Sequence, residues 1–559
     1  MGKSMKKYIK NAKVWTADRK RPWASEILVE DDKIREIGDD LKLSCEKTDV
    51  IDAEGRMIIP AFIDSHIHPI AAAKSLWCLL LEQRDYESFE EIMGIVKDYC
   101  EEHLKEEVPY QYVYTCPSEL MDAENVDRYL IDQFVSDRPI IVCDSSFHRC
   151  VCNSIMLELM EISKSTPYNT ESSLNYERFE DGTPNGIISE RIHEFNGDIE
   201  KMFDKLGWWP PSEEDPETIK PLFDIMTEFG LTCLHDGFAE SEKALIGVQK
   251  LEKQGDLHHY FHTMPIIDVY NGKEVKENAE AAFATAIEWG KKYNSHFITC
   301  DSVKLFLDGT NEIGTSAVLE PFEGTDDNYG RINATEEELT YILERINQEG
   351  LSIQIHLVGD RAFRVALNAF WAAVESEKQA GREYESRVTL LHCELTKPED
   401  RKRTVHPKLF INTSPTFNAG VFGDEAKQYL GDERFDSMFV FNDMIEMGTT
   451  VNCSADIVDE EGIPFANPLF VIEAGRRRTL TDDEHIRPRA EEKMSVEDLL
   501  YGYTINNAKG IGREDTIGSL EPGKLANLCI LSDNLFEIPP DMIGQVKVEK
   551  LMFEGEFLY

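Results

Sequence analysis

His66 and His68 stand one residue apart at the end of a short apolar run, Pro60-Ala61-Phe62-Ile63-Asp64-Ser65-His66-Ile67-His68. On a β-strand alternate side chains share a face, so both imidazoles point the same way and can hold one metal ion. Two histidines leave a zinc-like ion short of ligands. Further donors occur at the ends of later apolar runs: His356 in Ile355-His356-Leu357-Val358-Gly359-Asp360, His392 in Leu390-Leu391-His392-Cys393-Glu394, and Asp456 in Ser454-Ala455-Asp456. A lone histidine on an apolar strand is more often a satisfied core residue. Four histidines and an aspartate at strand ends of one domain point instead to a metal centre. Imidazole and carboxylate suit zinc, manganese or iron, so the expected cofactor is a divalent metal of zinc type, with one or two ions left open.

Lys304 lies inside another apolar run, Val303-Lys304-Leu305-Phe306-Leu307-Asp308-Gly309. A lysine there is costly unless neutralised or paired. One reading is an ion pair with Asp308 or Asp301. The other is modification: a desolvated amine loses its proton more easily and takes up carbon dioxide, giving a carboxylated lysine whose anionic carbamate bridges two metals.

These residues need elements that bring them together. Apolar runs at 62–68, 231–236, 261–267, 303–309, 352–358, 388–395, 409–414 and 449–456 predict eight strands. Amphipathic helices such as 336–348 and 361–378 separate several of them, the pattern of βα units and a parallel sheet. Eight such units predict an α/β protein built on a TIM (β/α)8 barrel over residues 58–514, with its chemistry at the C-terminal strand ends. The interval between the first two strands is far too long for a loop. It carries its own helices (88–102, 123–133) and a strand (139–144), so 70–225 reads as a cap region inserted after strand one. Short strands at 8–16, 25–29, 33–37, 526–531 and 546–553 predict a small β-sandwich domain assembled from residues 1–57 and 515–559.

The ordered set resembles the amidohydrolase superfamily, and within it the amidohydrolase-3 branch that includes N-substituted formamide deformylases. The resemblance runs from Trp15–Asp18 and Ile34–Gly38, through His66-x-His68, the segment ending in Glu190, Leu234-His235-Asp236-Gly237, Lys304, His356 with Gly359-Asp360-Arg361-Ala362, and His392. It closes on Gly518-Ser519-Leu520-Glu521-Pro522-Gly523-Lys524-Leu525-Ala526. It implies His66 and His68 on one metal, Lys304 as bridge, His356 and His392 on the second metal, and Asp456 as ligand and general base, with His392 beside it in the catalytic set. The departures are Ala61 for the usual glycine, Asn527 for the usual aspartate, and Cys453-Ser454-Ala455-Asp456 in place of a Gly-Ser-Asp-like segment.

The mechanism this implies is hydrolysis. A zinc-type ion lowers the pKa of its water to about 7, and Asp456 takes that proton and passes it to the leaving nitrogen. The expected reaction is cleavage of an amide-type C–N bond, N-acyl, N-formyl or cyclic, in a small molecule. The alternative is a heterocycle deaminase on the same scaffold. A non-catalytic scaffold is disfavoured because every expected ligand is present. Substrate contacts are expected from Trp77, His148, Asn153 and Glu190 in the insertion and from His235 and Arg361. Three have a plainer reading: Trp77 as core, His235 as a strand-end hydrogen bond, Arg361 as the partner of Asp360 or another acid.

The 559 residues carry 59 Lys plus Arg against 105 Asp plus Glu, a net charge of -46. That disfavours nucleic acid and anionic membrane as partners, since both need a basic footprint. No apolar signal core follows the basic N-terminus and no apolar run reaches bilayer length. Twelve scattered cysteines read as reduced thiols. Together these predict a cytoplasmic enzyme of a small-molecule substrate, with a homodimer allowed by the resemblance.

Overall fold

Runs rich in isoleucine, leucine and valine supply a closed set of parallel strands. They are β1 (Phe62–Ile67), β2 (Leu231–Asp236), β3 (Tyr260–His262), β4 (Ser302–Phe306), β5 (Ser352–Leu357), β6 (Val388–His392), β7 (Leu409–Thr413) and β8 (Thr450–Cys453). In this computed structural model the chain is described except at residues 1–5, 43–47, 82–85, 104, 106–107, 109–110, 122–125, 145–148, 167–173, 191–211, 240, 270–273, 418–425 and 481–488. Neighbours pair in parallel from β1 through β3 and from β4 through β8. A bridge between Ile266 and Lys304 joins the two runs. Hydrogen bonds from Ser65 Oγ to Cys453 O and from Asp456 N to His66 O close β8 onto β1. This is a TIM-barrel-type α/β fold.

Helices alternate with the strands, including Pro216–Glu228, Lys243–Gln254, Val275–Tyr293, Glu336–Glu349 and Asp360–Gln379. Glu336–Glu349 shows why. Thr335 and Glu338 form a capping box, Gly350 at φ 70° ends the helix, and Leu339, Ile342, Leu343 and Ile346 form one buried stripe. Among the described residues no helix is long and apolar enough to cross a membrane.

Several strands are shorter than their apolar runs. The run at 388–395 stops at His392, because His392 (φ 66°) and Cys393 (φ 47°) take left-handed backbone. The run at 449–456 stops at Cys453, and Asp456 is also left-handed, at φ 54°. The run at 8–16 is two strands, Lys6–Lys10 and Lys13–Trp15, separated by left-handed Asn11 (φ 54°) and belonging to different sheets.

Strands from the two ends of the chain share a sheet: Met57–Pro60 pairs with both Lys13–Trp15 and Leu528–Leu531. This sheet and the one containing Lys6–Lys10 bury Ile9, Val14, Ile27, Ile58, Leu528 and Met552 in one cluster. Between β1 and β2 lies a six-stranded sheet with edge strands Leu79–Leu80 and Leu174–Arg178. Ile63, Cys233 and Tyr260 pack with Ala508, Ile511 and Phe553 where the barrel meets the C-terminal segment.

Candidate metal centre

The segment after β8 is tied to β1 by three successive contacts. Ala455 N donates to Asp64 Oδ2 (2.9 Å), Asp456 N to His66 O (3.0 Å), and His68 N to Ile457 O (3.0 Å). Asp64 Oδ1 also accepts from His66 N (3.0 Å). These bonds hold His66, His68 and Asp456 on one side of the barrel mouth. They compensate the left-handed backbone of Asp456, an outlier of a kind that gathers at functional sites.

Three donor atoms converge there. His66 Nε2 lies 3.3 Å and His68 Nε2 3.4 Å from Asp456 Oδ1, and one ligand atom from each of the three residues falls within 4.8 Å of the others. The other carboxylate oxygen, Oδ2, lies 3.5 Å from His392 Nδ1. Lys304 Nζ is 3.2 Å from His66 Nε2. The His356 and His392 rings cross at 65° with centroids 4.6 Å apart, and His356 Nε2 is 3.3 Å from Gly309 O. Two imidazole nitrogens facing one carboxylate oxygen are an electron-rich set that a divalent cation fits. His392 Nε2 is buried with no hydrogen-bond partner among the described residues, a second atom free to take a cation.

The electrostatics keep the imidazoles as donors. Burial, then the Lys304 charge, holds His66 far below the ordinary histidine range. Burial and Lys304 push His356 down to about 3. Burial and His356 depress His392 far below its usual value. All three are neutral at pH 7. Burial also lowers Lys304 to about 7, against the pull of Asp456 and Asp236.

The sequence profile of the amidohydrolase family matches residues 49–559. The chain belongs to the amidohydrolase family. Among its relatives, the exoenzymes regulatory protein AepA of Pectobacterium carotovorum subsp. carotovorum is 23% identical over 460 residues, 80% of this chain and 93% of that protein. The N-substituted formamide deformylase of Arthrobacter pascens is 21% identical over 560 residues, 98% of this chain and 97% of that enzyme. In structure, the fold is similar to that of an uncharacterized metal-dependent hydrolase from Pyrococcus horikoshii OT3. The TM-score is 0.72 at 21% identity, covering 96% of this chain and 99% of that one.

Lys304 in this amidohydrolase makes neither expected ion pair. Asp308 accepts from the backbone N–H groups of Ala317, Val358 and Gly359 at 2.8 to 2.9 Å, and Asp301 pairs with Arg387 at 2.8 Å. Asp308 thereby ties the end of β4 to the end of β5, with burial raising its carboxyl to about 7.

The substrate-contact expectations fare differently. Asn153 is fully buried in the insertion and spends its whole amide on backbone: Oδ1 accepts from Ile140 N and Met156 N, and Nδ2 donates to Val135 O and Arg138 O. It is a helix cap inside the six-stranded sheet, not a group facing a ligand. Arg361 donates to the carbonyls of Tyr329 and Gly330 and does not pair with Asp360, which accepts from Leu319 N and faces Lys397 at 3.5 Å. Half-buried Trp77 donates its indole N–H to Thr218 O at 3.3 Å. His235 does sit beneath the centre, reaching it through Gln354. His148 and the side chain of Glu190 lie outside the described residues.

Four further residues shape the site: Gln354, Phe238 and Phe306, which carry no motif signal, and Gly237, which closes the Leu234-His235-Asp236-Gly237 segment. Gln354 bonds to His66, His235 and Ser65. Phe238 and Phe306 form an aromatic wall, edge-on at 5.9 Å, against His68 and His356 respectively. Gly237 backs the histidine pair so closely that a Cβ would stand 2.3 Å from His68 Cε1. The period-2 position of Gln354, two residues before His356 on β5, was a usable signal for the first of these.

Proposed function

We propose that this amidohydrolase-family hydrolase cleaves an amide-type C–N bond, N-acyl, N-formyl or cyclic, in a small molecule with the help of one or two divalent metal ions, zinc first among them. The observation that carries the reading is the convergence of His66 Nε2, His68 Nε2 and Asp456 Oδ1 at the strand ends. The relationship to a protein named as an N-substituted formamide deformylase supports the bond type. His66 and His68 would hold one ion with Asp456, and His356 and His392 a second. A zinc-class ion there supplies a water of pKa about 7 and polarises the scissile carbonyl.

The residues of the chain do the rest. Asp456 is placed to accept a proton at the oxygen facing the ligand pair and to deliver it to the leaving nitrogen. His392, on the other carboxylate oxygen at 3.5 Å, orients that carboxylate. Lys304 is buried with an imidazole nitrogen, not a carboxylate, at hydrogen-bond distance. Its amine nitrogen adding to the carbon of CO₂, with loss of one proton, would give an anionic carbamate beside His66. Phe238 and Phe306 offer an apolar face to the substrate beside the ligands.

The test has two parts. Purified protein is assayed for zinc, manganese and iron by plasma mass spectrometry, and zinc-reconstituted protein is run against a panel of N-formyl, N-acyl and cyclic amides. Bound divalent metal with turnover of one amide class supports the reading. Protein that neither holds metal nor turns over after zinc addition sinks it, and ammonia release from an aminated heterocycle moves the reaction to deamination.

A further inference from the structure

Gln354 lies on β5 with its side chain buried in the barrel interior, 3% exposed. Its amide makes three contacts: Nε2 to Ser65 O at 2.7 Å, Nε2 to His235 Nδ1 at 3.0 Å, and Oε1 to His66 Nδ1 at 2.9 Å. Amide oxygen and nitrogen are assigned from such networks rather than seen. Here the network leaves one assignment. Ser65 O is a backbone carbonyl and only accepts, so the group 2.7 Å from it is the NH₂. Flipping the amide would press two acceptors together at that distance. The oxygen therefore faces His66, and His66 Nδ1 must carry the hydrogen that bond requires.

The consequence passes to the metal centre. A neutral imidazole holding its hydrogen on Nδ1 has its lone pair on Nε2, the atom that faces Asp456 Oδ1 and Lys304 Nζ. We propose that Gln354 is a positioning residue that locks His66 in the Nδ1–H tautomer and in its ring orientation, so that Nε2 is presented as a metal donor. This rests on the metal-dependent reading above. His235 serves the lock from below: by accepting on Nδ1 it holds the second amide hydrogen. His262, its T-shaped neighbour at 5.6 Å, has no hydrogen-bond partner among the described residues at either ring nitrogen and is not part of the device.

Zinc affinity of chelator-stripped protein, measured by competition with a chromogenic chelator, tests this without recourse to turnover. Gln354→Leu keeps the volume and removes the acceptor; its zinc affinity is expected to fall about 10- to 100-fold, the usual cost of losing a ligand's outer partner. Gln354→Glu, its buried carboxyl held protonated by desolvation, keeps an oxygen for His66 Nδ1–H and an O–H to donate to Ser65 O, and is expected to hold zinc within about threefold of wild type. His262→Phe perturbs the same buried layer without touching His66 and is expected to leave affinity unchanged. Equal affinity in Gln354→Leu and wild type overturns the proposal while leaving the metal reading intact. Equal losses in all three variants reduce Gln354 to a packing role, which also overturns it. Wild type that binds no zinc overturns the metal reading itself. Should the Leu variant not fold, a crystal structure of zinc-loaded wild type decides: metal on His66 Nε2 with Gln354 Oε1 still on Nδ1 supports the lock, and metal on Nδ1 refutes it.

Discussion

The sheet between β1 and β2 and the barrel mouth both bury polar side chains, and they satisfy them to different degrees, with Gln111 Oε1 the one side-chain oxygen without a partner among the described residues of the sheet. In the sheet, Asn153 spends every amide donor and acceptor on backbone. Arg138 likewise donates to the carbonyls of Cys100, His103 and Val108. At and beneath the mouth, His235 Nε2, both ring nitrogens of His262 and His392 Nε2 are buried with no hydrogen-bond partner among the described residues. An unsatisfied buried polar group costs free energy. Saturated groups hold a fold, and unsaturated ones gathered in one place mark where a fold carries a cost for chemistry.

If that contrast is right, the largest effect comes from the mouth. Asp456→Ala should lower kcat/KM about 10²- to 10⁴-fold, as loss of an acid–base group does, while thermal melting shows a folded protein; activity within tenfold of wild type would break the comparison. Gly237→Ala comes next. Its Cβ would stand 2.3 Å from His68 Cε1, so zinc affinity should fall about 10- to 100-fold with circular dichroism unchanged. Asn153→Leu probes the other region. It should lose about 2 kcal/mol of stability in urea melts, through the lost cap and the backbone groups left unpaired, with kcat/KM per folded molecule unchanged; a selective loss of activity would return Asn153 to the substrate site.

The smallest effect sharpens the comparison with an unsatisfied group remote from the mouth. His259 is buried, its Nδ1 has no hydrogen-bond partner among the described residues, and burial holds it at about 3 against an ordinary 6.5. The folded state thus binds fewer protons than the unfolded one between those values. Stability is intact above pH 6.5 and falls as pH drops through the window. His259→Phe removes this term. Its unfolding free energy from urea melts should fall less than that of wild type between pH 7.5 and 5.5, by about 1 kcal/mol, with the neutral-pH turnover untouched. Parallel pH slopes for the two proteins would show that His259 is not depressed.

The barrel was legible because its strands are short apolar runs separated by amphipathic helices, a pattern that local periodicity carries. The histidines, Lys304 and Asp456 were legible as neighbours because period-2 placement at strand ends converts directly into a shared face of the barrel. The expected Arg361–Asp360 pair and the ligand-facing Asn153 both failed for a common reason. Each satisfies backbone carbonyls or amides of another segment, and backbone groups have no signature in a sequence. Gln354 escaped notice because a glutamine acquires meaning only from what lies across the barrel, here Ser65 and His66 almost 290 residues away.

Sequence alone determined which side chains could ligate a metal and the order in which strands deliver them, since residue type and alternation are local properties. Tertiary structure decided how those groups are aimed. The left-handed turns at His392 and Asp456, the clamp between β1 and the segment after β8, and the amide that orients His66 all depend on closing the barrel. Each joins groups that become neighbours only when the first strand meets the last or the fifth.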